Sequence, residues 1–366
     1  MKMSKSMIAA TGVVILAATL AACGGSNGGS SSSAAPTSSS APTSSAPLPV
    51  CPLGEADASI TTTARIAYQK IPNGDLIVKE QQILEKCMPN ATITWSVFAS
   101  GGDVLQAYGA GAVDLGLTGS NPNVKALSAP LNTTLPPIQC VWIHDVIGAG
   151  ESLAVKPEIK AAADLKGKKV AVAFGSTSHY SLLSWMTLNG LSTTDVELIN
   201  LEPEKMLAAW PDLAGAWVWD PTLSELVKNG AVLLASSADT AKAGKPTYDL
   251  GNAVTAFVEA NGPFMTMWAK AQNYAVSMIL DTPDMAAESM AAELGLPAAD
   301  IVKMFAGYQY LPAADQASAD WLGGKMAVDF EDTAKFLLEQ GAIDAVSAPE
   351  VYAAGVNATL AAAAAK

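Results

Sequence analysis

Val170-Ala171-Val172-Ala173-Phe174-Gly175-Ser176-Thr177-Ser178-His179-Tyr180-Ser181 runs from five apolar residues through a glycine into a cluster of hydroxyls. The apolar run reads as a strand, and Leu182 to Asn189 beyond it as a helix. A strand that turns through small hydroxyl residues into a helix start aims backbone N–H groups and the positive end of the helix dipole at one point. That point suits an anion.

Outward from this unit the alternation repeats. Thr61 to Tyr68, Thr92 to Phe98 and Val113 to Leu117 read as strands, with helices at Asp75 to Cys87 and Asp103 to Tyr108 between them. After Cys140 to Ile147 and Leu153 to Val155 the pattern restarts at Val170 and continues through Val196 to Leu201, Ala216 to Trp219 and Val232 to Leu234. This punctuation predicts an α/β fold of parallel strands with right-handed crossovers, in two lobes. From Ala275 the chain reads as mostly helical, broken by Pro283, Pro297, Pro312 and Gly323-Gly324. Ligands of open α/β sheets bind beyond the C-terminal ends of strands. The loops there are Tyr68-Gln69, Ser100-Gly101-Gly102, Thr118 to Pro122, Gly175 to Tyr180 and Trp217 to Pro221. They carry hydroxyl, amide and aromatic groups but no nucleophile beside its base, because the adjacent helical side chains of Ser178 and His179 diverge. Such a set is built to hold a ligand rather than transform it.

The N-terminus has a different character. Lys2 and Lys5 precede the uncharged apolar run Met7 to Ala22, too short for a confident membrane span, and Leu20-Ala21-Ala22-Cys23 closes it. This reads as an export signal ending in a lipobox, with Cys23 lipidated and the protein anchored to a membrane from outside the cytoplasm. Residues 24 to 50 are rich in Gly, Ser, Ala, Pro and Thr and uncharged. They cannot bury enough surface to offset ordering, and as a flexible tether they would span roughly 30 Å. The body from about residue 55 is long enough for two cored lobes.

With 34 acidic against 21 basic residues the chain carries a formal charge of −13, which excludes nucleic acid as a natural partner. An anion must then be held by local dipoles rather than by the overall field. His144 and His179 are the two histidines, and with no His/Cys cluster there is no ligand set for a metal and no sign of a cofactor. Besides Cys23, an exported chain keeps Cys51, Cys87 and Cys140. The first two flank the end of the sheet where strands begin and are the favoured disulfide pair; Cys140, among Ile138, Val141 and Trp142, reads as a buried thiol. The chain is expected to act as a monomer.

These residues also carry a family resemblance. Ser176-Thr177-Ser178-His179-Tyr180-Ser181-Leu182-Leu183, Asn200-Leu201-Glu202-Pro203, Gly215-Ala216-Trp217-Val218-Trp219-Asp220-Pro221 and Lys245-Pro246-Thr247-Tyr248-Asp249 resemble the taurine-binding, substrate-binding proteins of ABC transporters. The likeness runs in order from about Thr61 to Asn357. It implies a type II periplasmic-binding-protein fold with a two-strand hinge: residues 55–155 and 249–366 form one lobe, with a helical C-terminal segment, and 156–248 the other. It also implies a small sulfonate as ligand and an ABC permease as partner. Other small anions, such as an alkanesulfonate, nitrate or a thiamine-pyrimidine precursor, stay open, and an enzyme on this fold is the more distant reading.

A sulfonate asks for converging neutral donors, which Gly119, Ser120, Ser176, Thr177 and the Gln69 amide can supply. An ammonium two carbons away asks for a carboxylate. Asp249 stands where the family has its Asp, and Glu151 matches a second family acid at the first hinge crossing. Trp219 and Tyr68 are expected to close over the spacer, a cation on an indole face adding about 0.5–2 kcal/mol. His179 reads as a neutral donor or a structural bond, and Tyr180 joins the set by its place in the motif. Trp217, on the other side of its strand, is expected in the core. Asp220, if it faces the cleft, would strengthen the case for an amine.

Overall fold

The computed structural model describes residues 50–366. The export segment, Cys23 and most of the tether lie outside them. Eleven strands in chain order make two sheets among the described residues. They are β1 Thr63–Tyr68, β2 Thr92–Val97, β3 Leu115–Gly119, β4 Ile138–Ile147, β5 Glu151–Val155, β6 Lys169–Val172, β7 Glu197–Asn200, β8 Gly215–Trp219, β9 Val232–Ser236, β10 Tyr248–Val254 and β11 Tyr308–Gln309. The first sheet has the order β11-β4-β10-β3-β1-β2 and the second β7-β6-β8-β5-β9. Two α/β sheets with helices packed on them are the architecture expected from the alternation.

The all-parallel expectation is corrected. β1 runs parallel to β2 and β3, and β6 to β7 and β8. β10, however, is antiparallel to both β3 and β4, and β5 is antiparallel to β8 and β9. The cause is the path of the chain. It leaves the first sheet after β4 and turns back directly into β5, then returns from the second sheet as β10, so each strand next to a crossing enters its sheet reversed. β10 was not foreseen as a strand, because Gly251 and Asn252 break its apolar run. Glu151–Val155, placed in the first lobe from the sequence, pairs within the second sheet.

The crossing at residues 148–150 is packed backbone to backbone. The Gly148 and Gly150 N–H groups both donate to the Gly307 carbonyl at 3.0 Å. A Cβ on Gly150 would lie 2.4 Å from the Tyr308 ring, so only glycine fits there.

The helix read as Asp75 to Cys87 is two, Gly74–Glu80 and Ile83–Cys87, parted at Gln82 with φ +51°. Cys87 ends the second and is bridged to Cys51. The prolines act as read: Pro283 opens the helix Pro283–Leu294, and Pro297 and Pro312 cap the next two. The larger core joins the first sheet to these C-terminal helices through Trp142, Trp268, Phe264 and Phe330, with the Cys140 thiol fully buried in it. Trp217 sits in the core of the second sheet, as its strand parity implied.

Candidate functional site

A small cavity lies where the two sheets meet, lined by Gln69, Gly119, Glu151, Ser176, Thr177, Trp219 and Asp249 of the expected set, together with Ile71, Gly101, Pro122, Ile147 and Tyr308. Each wall follows from a local choice in the chain. The helix Thr177–Leu188 starts at the cavity, and its Ser176 cap accepts from the His179 N–H at 3.2 Å while donating to the Ala173 carbonyl at 2.7 Å. With that hydroxyl occupied, the free N–H groups of the first turn are what remain for a guest. The helix Ser120–Ala126 begins beside Gly119 at the end of β3, and its start faces the same space.

Gly119 touches the second lobe directly. A Cβ there would meet Thr177 Cγ2 at 2.6 Å. Ser120, next to it, is buried and accepts from the Tyr248 N–H at 3.3 Å, so it ties β10 to the floor without lining the cavity. The Gln69 amide donates to the Leu117 carbonyl at 3.2 Å.

Two acids line the same cavity. Glu151 is fully buried and accepts from Thr177 Oγ1 and Ser237 Oγ at 2.5 Å each and from Ser181 Oγ at 3.3 Å. Burial pushes its carboxyl up, and these hydroxyls pull it part of the way back. Asp249 has no such hydroxyls. Burial, reinforced by the charge of Glu151, pushes it up to about 8. Behind it, Asp145 on β4 is raised well above the ordinary carboxyl range by burial and then by Asp249 and Glu151, and its Oδ1 has no hydrogen-bond partner. No lysine, arginine or histidine makes an ion pair with any of the three among the described residues.

The rest of the expected set lies elsewhere. Tyr68 points away from the cavity: its hydroxyl donates to Glu293 at 2.9 Å, and its ring packs edge-on to Trp95. Tyr308 takes the aromatic place expected of Tyr68, donating to the Gly150 carbonyl at 3.1 Å. Tyr180 is in the second core, edge-on to Phe336. His179 lies behind the helix start; its Nδ1 accepts from the Gly175 N–H at 3.1 Å and its ring stacks on Phe174. Burial and then Lys125 push it down to about 4, so it is neutral. Asp220 does not face the cleft but accepts from the Ser224 N–H and hydroxyl at the start of the helix Thr222–Lys228. Asp145 and Tyr308 are the residues that sequence reasoning missed. An aspartate inside an otherwise apolar strand was the available signal, since a carboxylate is rarely buried without cause.

The family described as NMT1/THI5 like matches residues 96–230. The taurine-binding periplasmic protein of Escherichia coli (strain K12) is 34% identical over 290 residues, which cover 77% of this chain and 88% of that one. The crystal structure of the periplasmic aliphatic sulphonate binding protein SsuA from Escherichia coli is similar with a TM-score of 0.66 and 26% identity, over 82% of this chain and 99% of that one. The desulfurization enzyme DSZB has the same fold, with a TM-score of 0.57 and 17% identity over 82% of this chain and 99% of that one. With two-lobed architecture, interlobe cavity and extended identity in agreement, the chain belongs to the family of taurine- and aliphatic-sulfonate-binding proteins of ABC transporters.

Proposed function

We propose that this protein captures taurine in the cavity between its lobes and delivers it to an ABC permease. One observation carries the reading: a helix start offers neutral N–H donors to a cavity that is also lined by the buried Asp249, which has no protein cation beside it. Taurine has a permanent sulfonate at one end and an ammonium two carbons away. An ionised buried carboxylate needs a counter-charge, and the ligand's ammonium supplies it. Trp219 and Tyr308 then cover the spacer. With seven heavy atoms, taurine reaches at most about −10 kcal/mol at the ceiling of about 1.5 kcal/mol per atom, which requires both lobes to exclude water. The two lobes, β1 to β4 with the chain from β10 onward and β5 to β9 between them, would close about the crossings on either side of the second sheet.

The family relationship and the Cys51–Cys87 bridge support an exported protein, since disulfides persist outside the cytoplasm. We read Cys23 as its lipid anchor, residues 24 to 50 as the tether, and the monomer as the working unit. An enzymatic role, known on this fold from DSZB, finds no support in the cavity: Ser178 is fully buried, and the adjacent His179 has its Nδ1 engaged by Gly175.

An amine-free alkanesulfonate is the second reading. A further hollow lined by Lys70, Phe98, Pro203 and Thr222 shares Gln69 and Trp219 with the cavity and could take a longer tail. Calorimetric titration with taurine, ethanesulfonate and sulfate decides between them. Taurine should bind at least tenfold tighter than ethanesulfonate; equal affinities would favour the alkanesulfonate, and no taurine binding would end the first reading.

A further inference from the structure

A cation stands without a partner at the seam between the lobes, outside the cavity. Lys125, on the helix Ser120–Ala126 of the first lobe, is half-buried, and its Nζ would lie 3.2 Å from a Cβ placed on Gly175 of the second. It belongs to no ion pair among the described residues, although acids outnumber bases in this chain by 34 to 21. Burial alone pushes its ammonium down, with no carboxylate near enough to raise it. Holding a charge in this way is costly unless something answers it.

The surroundings point the same way. A hollow of about 290 Å3 is lined by Lys125, Asn121, Phe174, Gly175, His179 and Phe336 among others. Because His179 Nδ1 accepts from Gly175, its proton is on Nε2, a donor with no protein partner. Two donors, one from each lobe, therefore edge one hollow with bonding capacity unused. Apart from Gln340, the remaining lining is mostly apolar: Phe174 is 47% exposed, and Phe336 belongs to the neighbouring core.

We propose that this seam is a second anion site, separate from the cavity, which takes an oxyanion head carried on an apolar body: a small amphiphilic organic acid. The head would meet the Lys125 ammonium and the His179 Nε2–H, and the body would lie along Phe174 and Phe336. Bound there, it would touch both lobes and favour the closed arrangement.

The two histidines give a direct readout, since His144 is 1% exposed within the first core and His179 is at the seam. Taurine is first titrated by calorimetry, so that failure of the cavity reading is seen separately. Hexanesulfonate is then added to taurine-saturated protein carrying 13C-labelled histidine. The His179 ring signal should shift with saturation at one equivalent while the His144 signal stays still. Lys125→Met, which keeps the apolar stem, should weaken that binding at least tenfold, and 1-hexanol should give no comparable shift. An unmoved His179 signal, equal affinity in Lys125→Met, or an equal response to hexanol would each overturn the site. If taurine does not bind, the comparison of Lys125→Met with the natural chain still decides, because Lys125 does not line the cavity.

Discussion

Asp249 on β10 stands directly opposite Asp145 on β4, two aspartates in register on neighbouring antiparallel strands and both buried. Like charges in that position repel, and burial removes the water that would screen them. Two carboxyls held so close cannot both be ionised without a neighbouring cation. The pair therefore keeps a proton until a positive group arrives. Glu151, which also lines the cavity and is satisfied by hydroxyls from Thr177, Ser181 and Ser237, adds to the same demand.

Asp249→Asn removes the charge and keeps the shape. Loss of a charge-assisted contact to the ligand ammonium should cost about 2–3 kcal/mol, on the order of a 30- to 150-fold weaker taurine affinity. Ethanesulfonate, which has no ammonium, should bind the variant as well as or better than it binds the natural chain. Calorimetry with both ligands tests this; equal losses would mean that Asp249 shapes the cavity without reading the amine.

The protonation of Asp249 gives affinity and stability opposite responses to pH. A carboxyl raised to about 8 when folded binds a proton that the unfolded chain has already released. Its contribution to stability is thus fully present below the ordinary carboxyl range and is lost as pH rises through about 8. The ammonium pairs with the ionised form, so taurine affinity should rise by up to about tenfold per pH unit below 8 and then level. Melting of empty and taurine-loaded protein from pH 6 to 9 should show a falling midpoint for the first and a widening gap between the two. A constant gap would place the carboxyl in its ordinary range.

The Cys51–Cys87 bridge closes a loop of 36 residues that includes β1 and both helices following it. Reduction should lower stability by about 2–4 kcal/mol through the freedom returned to the unfolded chain. Denaturant unfolding with and without reductant measures this. Cys140 is buried and its thiol is pushed up to about 12, so it should stay unreactive to thiol reagents until unfolding.

Local chemistry made part of this molecule legible before its structure. The turn from β6 into the helix Thr177–Leu188 is encoded by neighbours in sequence, as are the proline-opened helices, so these could be read directly. Strand direction could not, because β10 and β5 are reversed by where the crossings lead the chain and not by their own residues. The same holds for side-chain aim. Asp249 was reachable from its motif, whereas Asp145 comes to stand behind it only through a cross-strand register that no local pattern records. Tyr68 pointed the wrong way because its hydroxyl found Glu293, 225 positions distant in sequence.

Gly119 and Thr177 offer the most direct test of closure, since they bring the two lobes into contact at the cavity itself. A methyl group on Gly119 would be 2.6 Å from Thr177 Cγ2, inside any tolerated contact. Both residues sit where a sheet meets a helix start, so neither can move without shifting an entire lobe. Gly119→Ala should therefore hold the lobes apart by a small angle while leaving each core intact. Overpacking of this kind costs about 1–3 kcal/mol, which corresponds to a taurine affinity on the order of 5- to 150-fold weaker. Shortening the opposing side chain relieves the clash, so Gly119→Ala combined with Thr177→Ser should recover part of the loss while retaining a hydroxyl for Glu151. Small-angle scattering of the loaded Gly119→Ala protein should show a more open particle than the natural chain at equal ligand occupancy. Unchanged affinity and an unchanged profile would mean that the lobes do not close upon this contact, and would move the point of closure to Trp219 and Tyr308.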